Sequence, residues 1–148
     1  MSAVVDSLRR TLPAHQVITD DLRRLAYGSD ASFYRLIPQV IAVIESENDL
    51  KSVLTAARQN NTPVTFRAAG TSLSGQAISD GVLALIGEGF ATCAINDDAT
   101  AVMAGPGIVG GEVNRRLAPF GRKIGPDPAS IGAAKIGALG LRVRRGCS

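Results

Sequence analysis

Pro63-Val-Thr-Phe-Arg67-Ala-Ala-Gly70-Thr-Ser-Leu-Ser-Gly75-Gln76 carries a short apolar strand directly into a loop of two glycines and three hydroxyl residues. Such a loop is suited to phosphate. Glycine takes φ > 0 without a Cβ penalty, so successive backbone N–H groups can turn inward as a concave nest for an anion. Thr71, Ser72 and Ser74 add hydroxyl donors. The interval from Gly70 to Gly75 equals that of a nucleoside-triphosphate P-loop, but Gln76 and Ala77 stand where that loop needs Lys and a Ser or Thr. Without a γ-phosphate clamp or a magnesium-binding hydroxyl, a diphosphate that is bound and not hydrolysed fits better, which points to a dinucleotide. The alternative is a plain surface connection.

Upstream of the loop, Val40-Ile-Ala-Val-Ile44 is a continuous apolar run between Pro38 and Glu45, the pattern of a strand buried on both faces of a parallel sheet. A helix is expected next. Ser46 and Asp49 have capping-box spacing, and Leu50, Val53, Leu54 and Ala57 fall at i, i+3, i+4 and i+7. Asn60, Asn61 and Pro63 end it, and Val64 to Arg67 completes a β-α-β unit with a right-handed crossover and parallel strands. The glycine loop then lies at the carboxyl end of a strand, where open α/β sheets bind ligands. Asp80-Gly81 makes a turn and Val82-Leu-Ala-Leu-Ile86 a further strand, so the loop joins strand to strand. A nicotinamide-type fingerprint needs Gly-x-Gly-x-x-Gly opening a helix, and Gly105-Pro-Gly107 is too short to supply one.

Ala91 to Ile95 and Thr100 to Ala104 flank Asn96-Asp97-Asp98, the pattern of a β-hairpin. Asp97 and Asp98 are expected to face water as turn residues and not to act as an acid/base pair. Gly105-Pro-Gly107 introduces a second helix with Val109, Val113 and Leu117 on one side, closed by Pro119 and Gly121. In Gly125-Pro-Asp-Pro-Ala-Ser130, two prolines stiffen a turn. At the other end, residues 2–27 read as one or two short helices, with Leu22, Leu25 and Ala26 behind an acidic Asp20-Asp21 start. Gly28-Ser-Asp-Ala-Ser breaks that pattern. His15, the single histidine, sits near Pro13 and is expected at the surface or in a cap, since no acid or nucleophile is patterned beside it.

The chain of 148 residues is long enough for one domain, and with 45% hydrophobic and 20% charged residues it has the composition of a globular protein. No apolar run approaches the roughly 18 residues of a membrane span. The formal net charge is +3, but Arg142, Arg144 and Arg145 lie in the last seven residues, which contain no acid. Without them thirteen basic residues face thirteen acidic ones, so no basic face for nucleic acid is expected. Cys93 and Cys147 have no metal-site spacing and read as free thiols. The N-terminus lacks the apolar core of a secretory signal, and a cytoplasmic location is the default expectation.

Arg67-Ala-Ala-Gly-Thr-Ser-Leu-Ser-Gly-Gln76, followed by Gly125-Pro-Asp-Pro-Ala-Ser130, resembles flavoprotein oxidoreductases of the vanillyl-alcohol oxidase / p-cresol methylhydroxylase (PCMH) type. Within that group it is most similar to the D-lactate dehydrogenase and glycolate oxidase FAD subunits. The resemblance covers roughly residues 37–136. It implies an α+β chain with an α/β-type first lobe, a PCMH-type FAD-binding fold truncated within its second lobe. It divides the chain into a helical segment (1–36), a partial FAD-binding domain (37–137) and an aberrant basic tail (138–148). It gives Ala69, Gly70, Thr71, Ser72, Gly75 and Gln76 to the FAD pyrophosphate, and places Pro126, Asp127 and Ser130 further along the flavin. Some relatives tether FAD through a histidine in the first loop. Matching by motif puts Thr71 there, which implies non-covalent FAD. The implied substrate is a small D-2-hydroxy acid such as lactate or glycolate. Many relatives associate peripherally with the bacterial membrane, a property with no signal in this chain.

After Ala133-Ala-Lys-Ile-Gly137 the family continues with a second glycine and an Ala-Asn-Asn segment, whereas this chain reads Ala138-Leu-Gly-Leu-Arg-Val-Arg-Arg-Gly-Cys-Ser148. The expectation is that a frameshift or premature end has replaced the rest of the enzyme. A 2-hydroxy-acid dehydrogenase needs a positioned base, and no catalytic residue or metal ligand can be named here. The competing expectations are an inactive fragment and a subunit completed by a partner chain.

Overall fold

The computed structural model describes residues 2–139. The tail from Gly140 to Ser148, with Cys147 and most of the stretch where the resemblance breaks, lies outside the described residues. The apolar runs form strands with the bounds their patterning predicts: β2 (Val40–Ile44), β3 (Val64–Arg67) and β4 (Val82–Ile86). A two-residue strand, β1 (Val17–Ile18), lies where helix was expected. The sheet order is β1-β2-β4-β3, with β2, β4 and β3 parallel and β1 antiparallel to β2. The two strands of the β-α-β unit are therefore parallel but not adjacent, because β4 inserts between them. Burial explains this order. Val82, Leu83 and Ala84 have no exposed surface and suit the centre, whereas β3 carries Thr65, Arg67 and a half-exposed Phe66 and suits an edge.

One face of the sheet presents Val40, Ala42, Ile44, Val82 and Ala84 to two helices, α1 (Ala3–Thr11) and α3 (Glu47–Gln59). Val4, Val5 and Leu8 from α1 join Val53, Ala56 and Ala57 from α3 in this core. The Ser46 hydroxyl accepts the Asp49 N–H at 3.1 Å, as the capping pattern predicts. The Asp49 carboxylate reaches one residue beyond the cap, accepting the Glu45 N–H at 2.9 Å and the Gln16 amide at 3.0 Å. The helix is rotated slightly from the sequence pattern, with Ala56 in the core and Leu54 half-exposed. The opposite face carries Ile18, Ile41 and Leu83, with Tyr27 packed against them. Helix α2 (Asp21–Ala26) begins at the expected acidic cap, but buries none of its residues, leaving Leu22 78% exposed.

The remaining elements form a smaller unit. Strands β5 (Cys93–Ile95) and β6 (Val102–Ala104) pair as the expected hairpin, with Asp97 and Asp98 exposed in its turn. They pack with Ile108, Val113 and Leu117 around α4 (Gly110–Leu117), where Val109 caps the helix and does not belong to its apolar face. Gly121, at φ 65°, ends the following 3-10 turn. The chain returns to this unit through α5 (Ile136–Leu139), the Gly137 N–H donating to the Pro106 carbonyl.

Candidate functional site

The loop 68–81 connects two adjacent parallel strands, β3 and β4, with no helix between them. Its curvature comes from Gly70 (φ 74°) and Gly75 (φ 70°), both in the left-handed region that L-residues disfavour. A Cβ on Gly70 would lie 2.3–2.7 Å from three atoms of the Arg67 guanidinium, so the loop passes directly over that side chain. Among the described residues, the N–H groups of Gly70, Thr71 and Ser72 donate to no acceptor. The Ser72 hydroxyl organises the far half of the loop. It accepts the Ser74 and Gln76 N–H groups, both at 3.2 Å.

Gly70, Thr71, Ser72 and Gln76 line one cleft of about 380 Å³, with Phe66, Ile86, Pro106 and Gly137 completing its walls. Among the described residues no charged side chain lines it. Its polar groups are neutral: free backbone N–H donors, hydroxyls and one amide. Such a set can hold a diphosphate by hydrogen bonding at the carboxyl end of a parallel sheet. Among the described residues it contains no nucleophile paired with a base.

Of the nine residues singled out from sequence, four thus share the cleft. Ala69 faces the other side of β3, in a recess with Arg67, Glu45 and Lys135. Gly75 lies against the Tyr34 ring in a third recess. Pro126, Asp127 and Ser130 are exposed and line none of these; Asp127 instead pairs with Lys123 at 2.8 Å. His15 is exposed in the 3-10 turn Ala14–Gln16. Among the described residues no cluster of His, Cys, Asp or Glu could hold a metal ion, and no helix is long and apolar enough to cross a membrane.

Residues that patterning did not single out surround the loop from below. Arg67 Nη1 donates to the carbonyls of Ser29 (2.9 Å), Ala77 (3.2 Å) and Tyr27 (3.3 Å), and the guanidinium lies 5.3 Å from the Tyr27 ring centroid. Asp30 accepts the Ser32 N–H at 2.9 Å and the Ala77 N–H at 3.2 Å. Burial opposes ionisation of Asp30, but the Ser32 and Ala77 hydrogen bonds and the nearby Arg67 outweigh it and hold its carboxyl below the usual range. Burial lowers the Arg67 pKa, with Asp30 opposing. Gly28-Ser-Asp-Ala-Ser reads in sequence only as a break in the helical pattern, and no local spacing announces a partner 47 positions away.

A family model described as FAD binding domain matches residues 38–142. The chain is 27% identical over 139 residues to glycolate oxidase subunit GlcD of Escherichia coli (strain K12), covering 92% of this chain and 28% of that protein. It is 26% identical over 120 residues to D-2-hydroxyglutarate dehydrogenase of the same organism, covering 78% of this chain and 12% of that protein. It therefore spans little more than a quarter, or less, of the length of these curated relatives. Among solved structures, p-cresol methylhydroxylase with substrate bound superposes with a TM-score of 0.75 at 12% identity, covering 93% of this chain and 28% of that one. Alkyldihydroxyacetonephosphate synthase superposes with a TM-score of 0.75 at 18% identity, covering 92% and 28%. At such identities the likeness is one of fold: a mixed α/β chain of PCMH type, matching part of those structures.

Proposed function

This chain belongs to the FAD-binding-domain family, and from that premise we propose that it is the N-terminal part of a flavin-dependent oxidoreductase acting on a D-2-hydroxy acid of the glycolate or lactate type. One observation carries the cofactor assignment. The free N–H groups of Gly70, Thr71 and Ser72 open onto an uncharged cleft, within the matched segment, where a diphosphate needs donors. Thr71 and Gln76 add side-chain donors to the same group, the Ser72 hydroxyl being spent on the Gln76 Oε1 at 3.4 Å, and Phe66 and Ile86 give the cleft an apolar wall. FAD, when bound, supplies the two-electron chemistry; the protein supplies binding and orientation. Ala69, Gly75, Pro126, Asp127 and Ser130 belong to the proposal through the motif resemblance and not through this cleft. Residues 37–137 serve as the partial FAD domain.

The hydroxyl of Thr71, at the tethering position of some relatives, is a poor nucleophile without an adjacent base, which supports non-covalent FAD. The substrate class rests on the relatives' names, glycolate oxidase and D-2-hydroxyglutarate dehydrogenase. A second reading is a subunit completed by another polypeptide. It is favoured by the name of GlcD as a subunit and by fully exposed Phe33 beside exposed Tyr34 and Leu36. Purified chain mixed with FAD and then desalted tests the cofactor assignment. Retained flavin absorbance at one per chain is expected, and colourless protein would refute it for the chain alone. Co-purification of a second polypeptide together with flavin would establish the second reading.

A further inference from the structure

An arginine beside a phosphate loop ordinarily serves as the ionic partner of the phosphate, presenting its planar fork to two oxygens. Arg67 is not placed for that. It sits on the opposite side of β3 from Phe66 and lines the recess with Glu45 and Lys135, not the cleft with the free N–H groups. Nη1 is engaged by three carbonyls, and the edge made by Nη2, Cζ and Nε lies beneath Gly70.

These contacts have a common geometry. Arg67 is the last residue of β3, and one of its acceptors is Ala77, where the loop re-enters buried structure. The Ala77 carbonyl is held by Arg67 and the Ala77 N–H by Asp30, so both sides of one peptide position are fixed. Asp30 and Ser29 belong to the same short segment, and the Ala31 N–H donates to the Gly70 carbonyl at 3.2 Å. The segment 27–31 thus touches the loop at its first glycine and at its end.

We propose that Arg67 and Asp30 form a two-armed clasp that fixes the loop 68–77 before ligand arrives, making Arg67 a positioning residue for the diphosphate and not its ionic partner. The proposal rests on the FAD reading of the cleft for its ligand, but not for its geometry. Preorganisation of this kind raises affinity by reducing the ordering that binding would otherwise require. Lysine cannot replace arginine here, because an ammonium in the place of Nη1 would leave nothing where Nη2, Cζ and Nε lie beneath Gly70 and would present no guanidinium to the Tyr27 ring.

Hydrogen exchange on the ligand-free 148-residue chain tests the clasp. In the wild type, the Ala77 amide should be protected and those of Gly70, Thr71 and Ser72 should exchange freely; an unprotected Ala77 overturns the proposal. Arg67→Met and Arg67→Lys should both speed exchange across the loop while leaving Val82 to Ile86 unchanged. If those variants fail to fold, Asp30→Ala, which opens one arm only, is read in the same way. Calorimetric titration with FAD should show a loss on the order of tenfold for both Arg67 variants, the scale expected when binding must order a loop that is no longer fixed beforehand. Restoration to within about twofold by lysine would show that charge alone matters and would overturn the clasp. Wild-type chain that binds no FAD would refute the cofactor reading, while the exchange pattern would still decide the clasp.

Discussion

Replacing Gly70 by alanine separates two costs that the structure assigns to different atoms. The first is the backbone: φ is 74°, and an L-residue held in the left-handed region is disfavoured by about 1–2 kcal/mol. The second is overlap. The new Cβ would lie 2.3 Å from Nη2, 2.5 Å from Cζ and 2.7 Å from Nε of Arg67. A free side chain would swing aside, but Nη1 is held by three carbonyls, so movement breaks those bonds. Overpacking of this sort typically costs about 1–3 kcal/mol more, for a total of about 2–5 kcal/mol. Gly121→Ala is the control, since Gly121 has φ 65° and nothing within 4 Å of its would-be Cβ. It should show the backbone cost alone. Gly75→Ala should resemble the control, because the Tyr34 ring it would touch at 2.9 Å is largely exposed and can turn away. Urea unfolding followed by far-ultraviolet circular dichroism gives all three values. If Gly70→Ala falls within about 0.5 kcal/mol of Gly121→Ala, which is the scale of a surface substitution without structural consequence, Arg67 is not locked and the reasoning fails.

Leu83→Ala, at a fully buried site in the central strand, should cost about 2–5 kcal/mol in the same assay; a cost below 1 kcal/mol would mean that β4 is not central. Asp49 supplies a pH dependence. Burial opposes its ionisation, but the bonds from the Glu45 N–H, Gln16 and Ser46 outweigh it and hold its carboxyl below the ordinary 3.8. A lowered folded pKa adds stability that is complete above 3.8 and is lost as pH falls towards the folded value, so wild type should lose stability below pH 3.8 more steeply than Asp49→Asn. Parallel pH profiles would rule this out. If FAD binding is non-covalent, as proposed from Thr71 at the tethering position, acid precipitation of the flavin-loaded chain should leave all flavin in the supernatant; coloured pellet would contradict it.

The strands of the main sheet were legible because a buried parallel strand needs an unbroken apolar run, and Val40–Ile44 and Val82–Ile86 each supply one. Their order was not, since which strand takes the centre depends on relative burial and not on chain sequence. The spacing of Gly70 and Gly75 announced the loop, because positive φ there is a local demand that few residues other than glycine meet. Leu22 and Leu25 misled in the other direction: their helical spacing is real, but α2 has no buried face for it to serve. Arg67, Tyr27 and Asp30 stayed hidden for a different reason. The partners that tie them to the loop lie 10 to 47 positions away, and a long polar side chain carries no mark of which carbonyl it will reach. Pro126, Asp127 and Ser130 were read from a motif alone, and their turn is exposed.

The contacts from Ser29 and Asp30 to Arg67 and Ala77 close chain segments of 38 and 47 residues. Closing segments of that length costs entropy before the contacts repay it, so the loop is expected to take its shape only after β2, α3 and β3, which lie within both segments, have formed. The cleft beside Gly70 is then expected to be a late product of folding. Ligand that recognises the finished loop has nothing to hold in the transition state, so it acts on the rate of leaving the native state and not on the rate of reaching it. In stopped-flow experiments, flavin should slow unfolding while refolding proceeds at the rate of the ligand-free chain, and faster refolding with flavin would place the loop earlier in the sequence of events.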